Sequence, residues 1–117
     1  MPQTLIYITA SSVDEATAIG RSLVDERLAA CANVLPGSTS IYHWQGAIAE
    51  GRECALIAKT TPQRVDALIV RVKALHSYDC PCIVALPITA GNPEFLEWIT
   101  TETTKVSRLP SVQSTPK

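Results

Sequence analysis

The sequence predicts an α+β domain, a split βαβ sandwich in which a four-stranded antiparallel sheet carries two helices on one face. The first observation is the order of the predicted elements: strand, helix, two strands, helix, strand and a terminal helix. The second is the length, because 117 residues suit one domain. The third is a pair of strands long enough to protrude as a hairpin. We expect the domain to cover residues 1–103.

The first strand and helix are predicted from residues 3–28. Residues 3–9, QTLIYIT, favour β-structure with almost no alternation, which is typical of a central strand buried on both faces. Ser12 and Glu15 then have the spacing of a capping box, in which each side chain binds a free amide at a helix start. Apolar residues follow at helical spacing, and the helix should end near Arg27.

The most unusual predicted feature is a long β-hairpin over residues 38–59, which turns at 49–51. Residues 30–35 predict a short strand before it, and Pro36 and Gly37 supply a turn or bulge through which that strand continues outward. Each arm has about nine or ten residues, whereas a strand usually has about five or six. At about 3.3 Å per residue, an arm reaches roughly 30 Å and should overhang the domain.

An overhanging hairpin would leave backbone N–H and C=O groups unpaired along its edges and expose a large apolar surface. The apolar side chains concerned are Ile41, Tyr42, Trp44, Ile48, Leu56 and Ile57. Another copy of the same chain would cover this surface and pair these groups. The sequence therefore predicts a homo-oligomer.

Four further segments complete the chain. A Thr-Pro pair at residues 61–62 and an apolar stripe predict a second helix to about His76. Residues 80–89, CPCIVALPIT, predict the last strand, and its two prolines favour a sheet edge or a strand end. An Asn-Pro pair at 92–93 begins a short third helix. Residues 104–117 are polar and aperiodic, which indicates a flexible or loosely docked tail.

Composition and charge disfavour several classes of function. Ten basic and eleven acidic residues give a net charge of −1, so nothing supplies the basic face that nucleic-acid backbones require. No apolar run approaches the roughly eighteen residues of a membrane span. The first basic residue is Arg21, which argues against a signal peptide. We expect a cytoplasmic protein with reduced cysteines that binds neither nucleic acid nor membranes.

Three segments carry a resemblance to a known family. Residues 26–46 read ERLAACANVLPGSTSIYHWQG, residues 76–99 read HSYDCPCIVALPITAGNPEFLEWI, and the first helix opens with DEATA. From Leu5 to about Glu102 the chain resembles the CutA family of divalent-cation tolerance proteins. The resemblance implies a ferredoxin-like fold, assembled as a homotrimer through pairing of the long hairpins. It also implies a role in tolerance to copper and other divalent metals, and no catalytic reaction.

The segment after the second helix departs from the family pattern, which reads His-Pro-Tyr-Glu followed by Val-Pro-Glu. Here His76 and Tyr78 match, Asp79 is a shortened carboxylate, and a serine replaces the first proline. Cys80 and Cys82 replace the valine and the last glutamate. This chain therefore has no carboxylate at position 82 that could take the role of the family's glutamate.

The same departure adds soft metal ligands. In a strand, residues i and i+2 project to one face, so Cys80 and Cys82 should point the same way, near His76. One imidazole and two thiolates suit Cu(I) or Zn(II), and Asp79 can complete the site. The alternative is that both cysteines are core residues and that His76 binds the last carbonyls of its helix. Copper or zinc is the expected metal, and no organic cofactor is expected.

The other two cysteines, Cys31 and Cys54, are expected in the core. A hairpin folded near residue 50 places Cys54 opposite about Gly46 and far from Cys31.

A group of aromatic residues predicts a cleft between subunits. His43 lies between Tyr42 and Trp44, so its side chain should point to the opposite face of the hairpin. There it either contacts a metal or another ligand at a subunit boundary or packs in the interface. The residues that should line an intersubunit cleft, or simply pack in a buried interface, are Tyr42, Trp44, His76, Tyr78 and Trp98.

Three classes of function follow. The first is a trimeric protein that binds or responds to divalent metals. The second is a trimeric PII-like sensor of a small metabolite or nucleotide at intersubunit clefts, although no glycine-rich phosphate loop is present. The third, an enzyme using His76, Tyr78 and Asp79, is disfavoured because no paired nucleophile and base can be placed. We predict a non-enzyme without catalytic residues.

Overall fold

The computed structural model describes residues 2–105, which form four strands and three helices. The elements are β1 (Thr4–Ala10), α1 (Val13–Asp25), β2 (Cys31–Trp44), β3 (Ala47–Thr60), α2 (Pro62–Leu75), β4 (Ile83–Pro87) and α3 (Pro93–Thr104). The strands form one antiparallel sheet in the order β2-β3-β1-β4. The predicted fold, element order and central position of β1 are confirmed. The predicted tail lies outside the described residues from residue 106 onward.

The core lies between the sheet and the two helices α1 and α2. Ile6 and Ile8 of β1, Leu23 of α1 and Val72 of α2 have no exposed surface and belong to one apolar cluster. Full burial of such a side chain stabilises the fold by about 1.5–3 kcal/mol. Both helices therefore pack on the same face of the sheet, as the element order predicts. No helix within residues 2–105 is long and apolar enough to span a membrane.

The opposite side, which we call the open sheet face, is much less covered. Along β1, buried residues alternate with half-buried ones such as Leu5 and Tyr7. Their partners on β4, Leu86 and Val84, are 48% and 47% exposed. The sequence of β1 predicts burial on both faces, but a single subunit fully buries only one. The register places on the open sheet face Leu5, Tyr7, Thr9, Cys31, Asn33, Leu35, Ala55, Ile57, Lys59, Val84 and Leu86.

The long hairpin is confirmed, with 14 residues in each of β2 and β3, but the predicted position of its turn is wrong. The chain turns at Gln45 and Gly46 rather than at 49–51, because Trp44 pairs with Ala47. Gln45 and Gly46 have φ angles of 52° and 83°. A two-residue turn with positive φ at both positions matches the right-handed twist of the flanking strands, and glycine adopts it at little steric cost.

A bulge joins the inner and outer parts of β2, as the Pro36-Gly37 pair predicts. The register shifts between Leu35, which pairs with Ala55, and Ser38, which pairs with Glu53. Gly37 has a φ of 82°, a backbone conformation common in β-bulges. The core strand and the outer arm are thus one continuous strand.

In the observed register, one cysteine lies at a different position from the predicted one. Cys54 lies beside the bulge of β2 and pairs with Ala10 of β1, so its predicted place opposite Gly46 is wrong. It is 2% exposed, as expected of a core residue. Cys31 is only half-buried, because it lies on the open sheet face.

The first helix ends two residues earlier than predicted. Arg27 has a φ of 63°, and the Leu28 N–H donates to the Leu23 carbonyl at 2.9 Å. This left-handed residue closes the helix in the manner of a glycine C-cap. The Arg27 guanidinium in turn binds the Glu102 carboxylate at 2.6 Å, which ties α3 to the end of α1.

The last strand is shorter than predicted. β4 begins at Ile83, opposite Ile8, and lies at the sheet edge, so Cys80 and Cys82 precede it. Pro81 has no N–H to donate, so it could not add a ladder hydrogen bond. The expectation that both thiols project from one face of a strand is therefore wrong. Both cysteines are exposed, which also contradicts the alternative that they are core residues.

Candidate functional site

A network of polar groups surrounds the connection from α2 to β4, residues 76–82, which we call the 76–82 loop. Its first residue, His76, has a side chain with no exposed area. His76 Nε2 lies 2.7 Å from the carbonyl oxygen of Thr9, and the Tyr78 N–H donates to Nδ1 at 3.1 Å. Because a carbonyl oxygen can only accept, Nε2 carries the proton and Nδ1 accepts. Both ring nitrogens are therefore engaged.

Glu15, near the start of α1, holds the same loop. Its Oε1 accepts from the N–H and the hydroxyl of Ser11 at 2.9 and 2.7 Å, and its Oε2 accepts from the Ser77 N–H at 2.7 Å. Burial alone would raise the pKa of Glu15, but the hydrogen bonds from Ser11 and Ser77 outweigh it and lower the pKa to about 2. The charged carboxylate thus connects α1 to the loop.

The capping box at α1 is only half formed. Ser12 Oγ accepts from the Glu15 N–H at 3.0 Å, as predicted, but the Glu15 carboxylate binds the N–H of Ser11 and not that of Ser12. This shift of one residue leaves the second carboxylate oxygen free to reach the loop.

Tyr78 connects the loop to the base of the hairpin. Its hydroxyl donates to Glu53 Oε2 at 2.7 Å, and the Ser40 hydroxyl donates to Glu53 Oε1 at 2.6 Å. The Tyr78 ring also packs on the His76 ring, with centroids 4.7 Å apart. Burial, followed by the hydrogen bond to Glu53, raises the pKa of Tyr78 to about 12, so the hydroxyl keeps its proton at neutral pH.

The network holds the loop in place. Nδ1 of His76 accepts from the Tyr78 N–H, and each oxygen of Glu53 accepts a hydroxyl proton. Each carboxylate oxygen has a second lone pair, so Glu53 can still accept a further hydrogen bond. In this conformation the side chains of His76, Tyr78 and Glu53 are all hydrogen-bonded within the network.

A single subunit does not bring the predicted metal ligands together. Cys80, Cys82 and Asp79 are exposed, whereas the His76 side chain is buried with both nitrogens hydrogen-bonded. Among residues 2–105, no group of three or more His, Cys, Asp or Glu side chains is placed to hold a metal ion. The four-residue metal site stays a prediction.

Only part of the predicted cleft forms within one subunit, where the His76 and Tyr78 rings pack together and Tyr42 lies near Tyr78. Tyr42 and Trp44 lie on the hairpin, 46% and 62% exposed, and His43 between them alternates to the other face of β2. Trp98 packs on Phe95 of α3, with ring centroids 5.4 Å apart. The cleft stays a prediction that needs a neighbouring subunit.

The contacts along β1 show that Trp98 and His76 lie far apart. Gln3, just before β1, donates to the Leu96 carbonyl of α3 at 2.9 Å, whereas Thr9 near the other end binds His76. A strand rises about 3.3 Å per residue, so roughly 20 Å separates Gln3 from Thr9. Trp98 of α3 and His76 thus belong to opposite ends of the sheet.

The two carboxylates of the network do not stand out in the sequence as site residues. The pattern at the start of α1 assigns Glu15 to helix capping alone, and no motif marks Glu53. The Gln45-Gly46 pair was the available signal, because a two-residue turn there sets the register that brings Glu53 beside Ser38 and Ser40.

Comparison with known proteins identifies the family. Residues 4–102 match the family model described as CutA1 divalent ion tolerance protein. The divalent-cation tolerance protein CutA of Thermus thermophilus is 50% identical over 97 residues, which cover 83% of this chain and 94% of that protein. The chloroplastic protein CutA 1 of Oryza sativa is 40% identical over 103 residues, or 88% of this chain and 58% of that protein. The solved structure of Cut A1 from Thermus thermophilus superposes with a TM-score of 0.85 at 50% identity, covering 86% of this chain and 98% of that one. The chain therefore belongs to the CutA1 family of divalent ion tolerance proteins.

Proposed function

We propose that this protein is a homotrimer that acts in divalent-cation tolerance by binding copper or another divalent metal directly. The observation that carries the proposal is the pair of exposed thiols, Cys80 and Cys82, beside the exposed carboxylate of Asp79. Thiolates are preferred ligands of copper and zinc. We propose no catalytic activity and a cytoplasmic location, a reducing compartment in which the thiol form of both cysteines prevails.

Surface chemistry supports the assembly. Ile41, Trp44 and Ile48 at the end of the hairpin are 66%, 62% and 71% exposed, and Val84 and Leu86 expose nearly half of their surface. Isolated apolar side chains on a surface are ordinary, but groups of this size usually mark an interface. The edge strands β2 and β4 also offer backbone groups for pairing between subunits. Three copies joined through these surfaces would cover them.

The proposed metal site is built around Cys80 and Cys82. Two thiolates alone can hold Cu(I), and Asp79 would add an oxygen ligand for Zn(II). His76 would join as a third protein ligand only if Nδ1 gave up the hydrogen bond from the Tyr78 N–H. We therefore assign the dominant share of the affinity to the two cysteines.

A titration of the reduced protein with Cu(I) and with Zn(II) tests this proposal. Replacing both ligands, Cys80→Ser with Cys82→Ser, should weaken binding by more than about 100-fold, because loss of outer partners alone typically costs 10–100-fold. Cys31→Ser is the matched control, because it also removes a free thiol but leaves both proposed ligands in place. Equal affinity of the double variant and the control would contradict the proposal.

A second candidate is a trimeric PII-like sensor that binds a small molecule or nucleotide at intersubunit clefts. It is favoured by the cluster of Tyr78, Glu53 and Ser40 at the base of the hairpin, which lies close enough to Tyr42 for electrostatic interaction. Aromatic and carboxylate groups beside a subunit boundary suit a small ligand. A thermal-shift screen separates the candidates: a nucleotide that raises the melting temperature supports the sensor, and stabilisation by metals alone supports metal binding.

A further inference from the structure

The four cysteines, all within the described residues 2–105, differ in their exposure. Cys80 and Cys82 are exposed, whereas Cys54 is buried and Cys31 is half-buried, with the Lys59 ammonium 3.9 Å from its sulfur. The exposed pair is separated by Pro81 alone. We propose that Cys80 and Cys82 are a redox-active dithiol that closes to an intrachain disulfide by exchange with a low-molecular-weight disulfide.

The backbone permits the ring. In a paired strand, residues i and i+2 keep their side chains parallel and their Cα atoms about 6.6–6.8 Å apart. That separation is at the upper end of the range of about 4.4–6.8 Å found in disulfides. Cys80 and Cys82 precede β4, so no strand ladder fixes them. Two extended residues span at most about 7 Å, and the proline ring holds φ near −65°, short of full extension. The Cα atoms of Cys80 and Cys82 therefore lie less than about 7 Å apart, and closure must bring their Cβ atoms to about 3.5–4.5 Å.

Both ends of the segment are anchored. On one side the Ser77 N–H binds Glu15 and the Tyr78 hydroxyl binds Glu53. On the other side Ile83 pairs with β1. The two thiols are held near each other at a high effective concentration, so closure needs only local rotation within residues 79–82.

The reaction is ordinary thiol–disulfide exchange, with a disulfide R–S–S–R as the oxidant. One cysteine thiolate attacks a sulfur of R–S–S–R, which forms a mixed disulfide and releases one RS⁻. The other cysteine thiolate attacks the protein sulfur of that mixed disulfide, forms the Cys80–Cys82 bond and releases the second RS⁻. Two electrons pass from the dithiol to R–S–S–R, and the two thiol protons end on the two released RS⁻ groups. Disulfides in reducing compartments are usually transient ones of this kind.

Closure would change the proposed metal chemistry. The oxidised ring has no thiolate, so disulfide formation and metal binding through Cys80 and Cys82 exclude each other. Only this consequence rests on the proposed function. The disulfide itself is tested without metal, and its failure would leave the metal titration unaffected.

The test uses the full-length reduced protein in a metal chelator, equilibrated with mixtures of reduced and oxidised glutathione. After acid quenching and alkylation of free thiols, a protease specific for lysine releases residues 74–105, which contain Cys80 and Cys82 and no other cysteine. We expect this peptide to escape alkylation and to weigh two hydrogen atoms less than the dithiol under oxidising conditions. Dithiothreitol should restore the dithiol mass.

Variants separate ring closure from simple thiol modification. Cys80→Ser and Cys82→Ser each keep one exposed thiol, which should stop at a stable mixed disulfide with glutathione. Cys31→Ser should close the ring as the unmodified chain does. A peptide that stays a dithiol, carries glutathione on both thiols, or is cross-linked to another chain would overturn the proposal.

Discussion

At the scale of single residues, the organising group is the Glu15 carboxylate rather than a metal ligand. It accepts hydrogen bonds from Ser11 and Ser77 and lies 3.8 Å from the His76 ring. Glu53 has the same role on the other side, where it accepts from Tyr78 and Ser40. Two charged acceptors therefore fix the loop that carries the exposed thiols.

The lowered pKa of Glu15 predicts a loss of stability in acid. The pKa falls from 4.5 to about 2 on folding, so the charged form stabilises the fold above pH 4.5, and this stabilisation is lost as pH falls from 4.5 towards 2. We expect Glu15→Gln to lower the free energy of unfolding by about 1–3 kcal/mol at pH 7. Urea unfolding at a fixed protein concentration measures the difference.

The pH dependence of this stability difference distinguishes the charge of Glu15 from other effects of the substitution. The difference between Glu15→Gln and the unmodified protein should shrink as pH falls below 4.5. Asp14→Asn is the matched control, because it removes an exposed charge from the same helix turn and should change stability by less than about 1 kcal/mol. A difference that stays constant from pH 7 to pH 3 would contradict this role of Glu15.

At the scale of elements, the spacing of apolar residues predicts the fold better than the residues that mark turns do. The unbroken apolar run in β1 and the stripes of α1 and α2 predicted the strand and helix order correctly, because burial dominates their stability. The turn position that the sequence predicts is wrong, because Glu50 and Gly51 resemble a turn as much as Gln45 and Gly46 do. Only the strand register, which depends on contacts remote in sequence, decides between them.

A pair of glycine variants tests the turn. Gly46 has a φ of 83°, so Gly46→Ala places a Cβ in the left-handed region and should destabilise the fold by about 1–2 kcal/mol. Gly51→Ala, at the position where the sequence suggested the turn, meets only the Tyr42 hydroxyl at 3.9 Å and should change stability by less than about 0.5 kcal/mol. Thermal unfolding of both variants at equal concentration measures this, and the reverse order would contradict the observed turn.

The sequence predicts the site less well than the fold, because the geometry of the site also depends on contacts remote in sequence. The sequence predicts a strand that includes Cys80 and Cys82, because residues 80–89 resemble a continuous β segment, yet pairing with β1 begins only at Ile83. The alternative that His76 binds the last carbonyls of its own helix is wrong, because its Nε2 donates to the carbonyl of Thr9 in β1. A residue pattern does not show a backbone partner so remote in sequence.

At the scale of the whole molecule, the open sheet face is the feature that a single subunit leaves unexplained. The sequence of β1 is apolar on both sides, but only the side under α1 and α2 is fully buried. A strand of this composition normally has both faces covered. The hairpin extends the same surface outward through Trp44 and Ile48. Assembly into a trimer would complete the burial that the sequence predicts.

The measurement that tests the proposed assembly and metal site most directly is a crystal structure of the reduced protein loaded with Cu(I), with anomalous scattering used to locate the metal. We predict three subunits around a threefold axis, with open sheet faces and hairpins in contact. We also predict one copper per chain bonded to the sulfur atoms of Cys80 and Cys82. Separate subunits whose open sheet faces meet only solvent, or a copper peak away from both cysteines, would contradict these predictions.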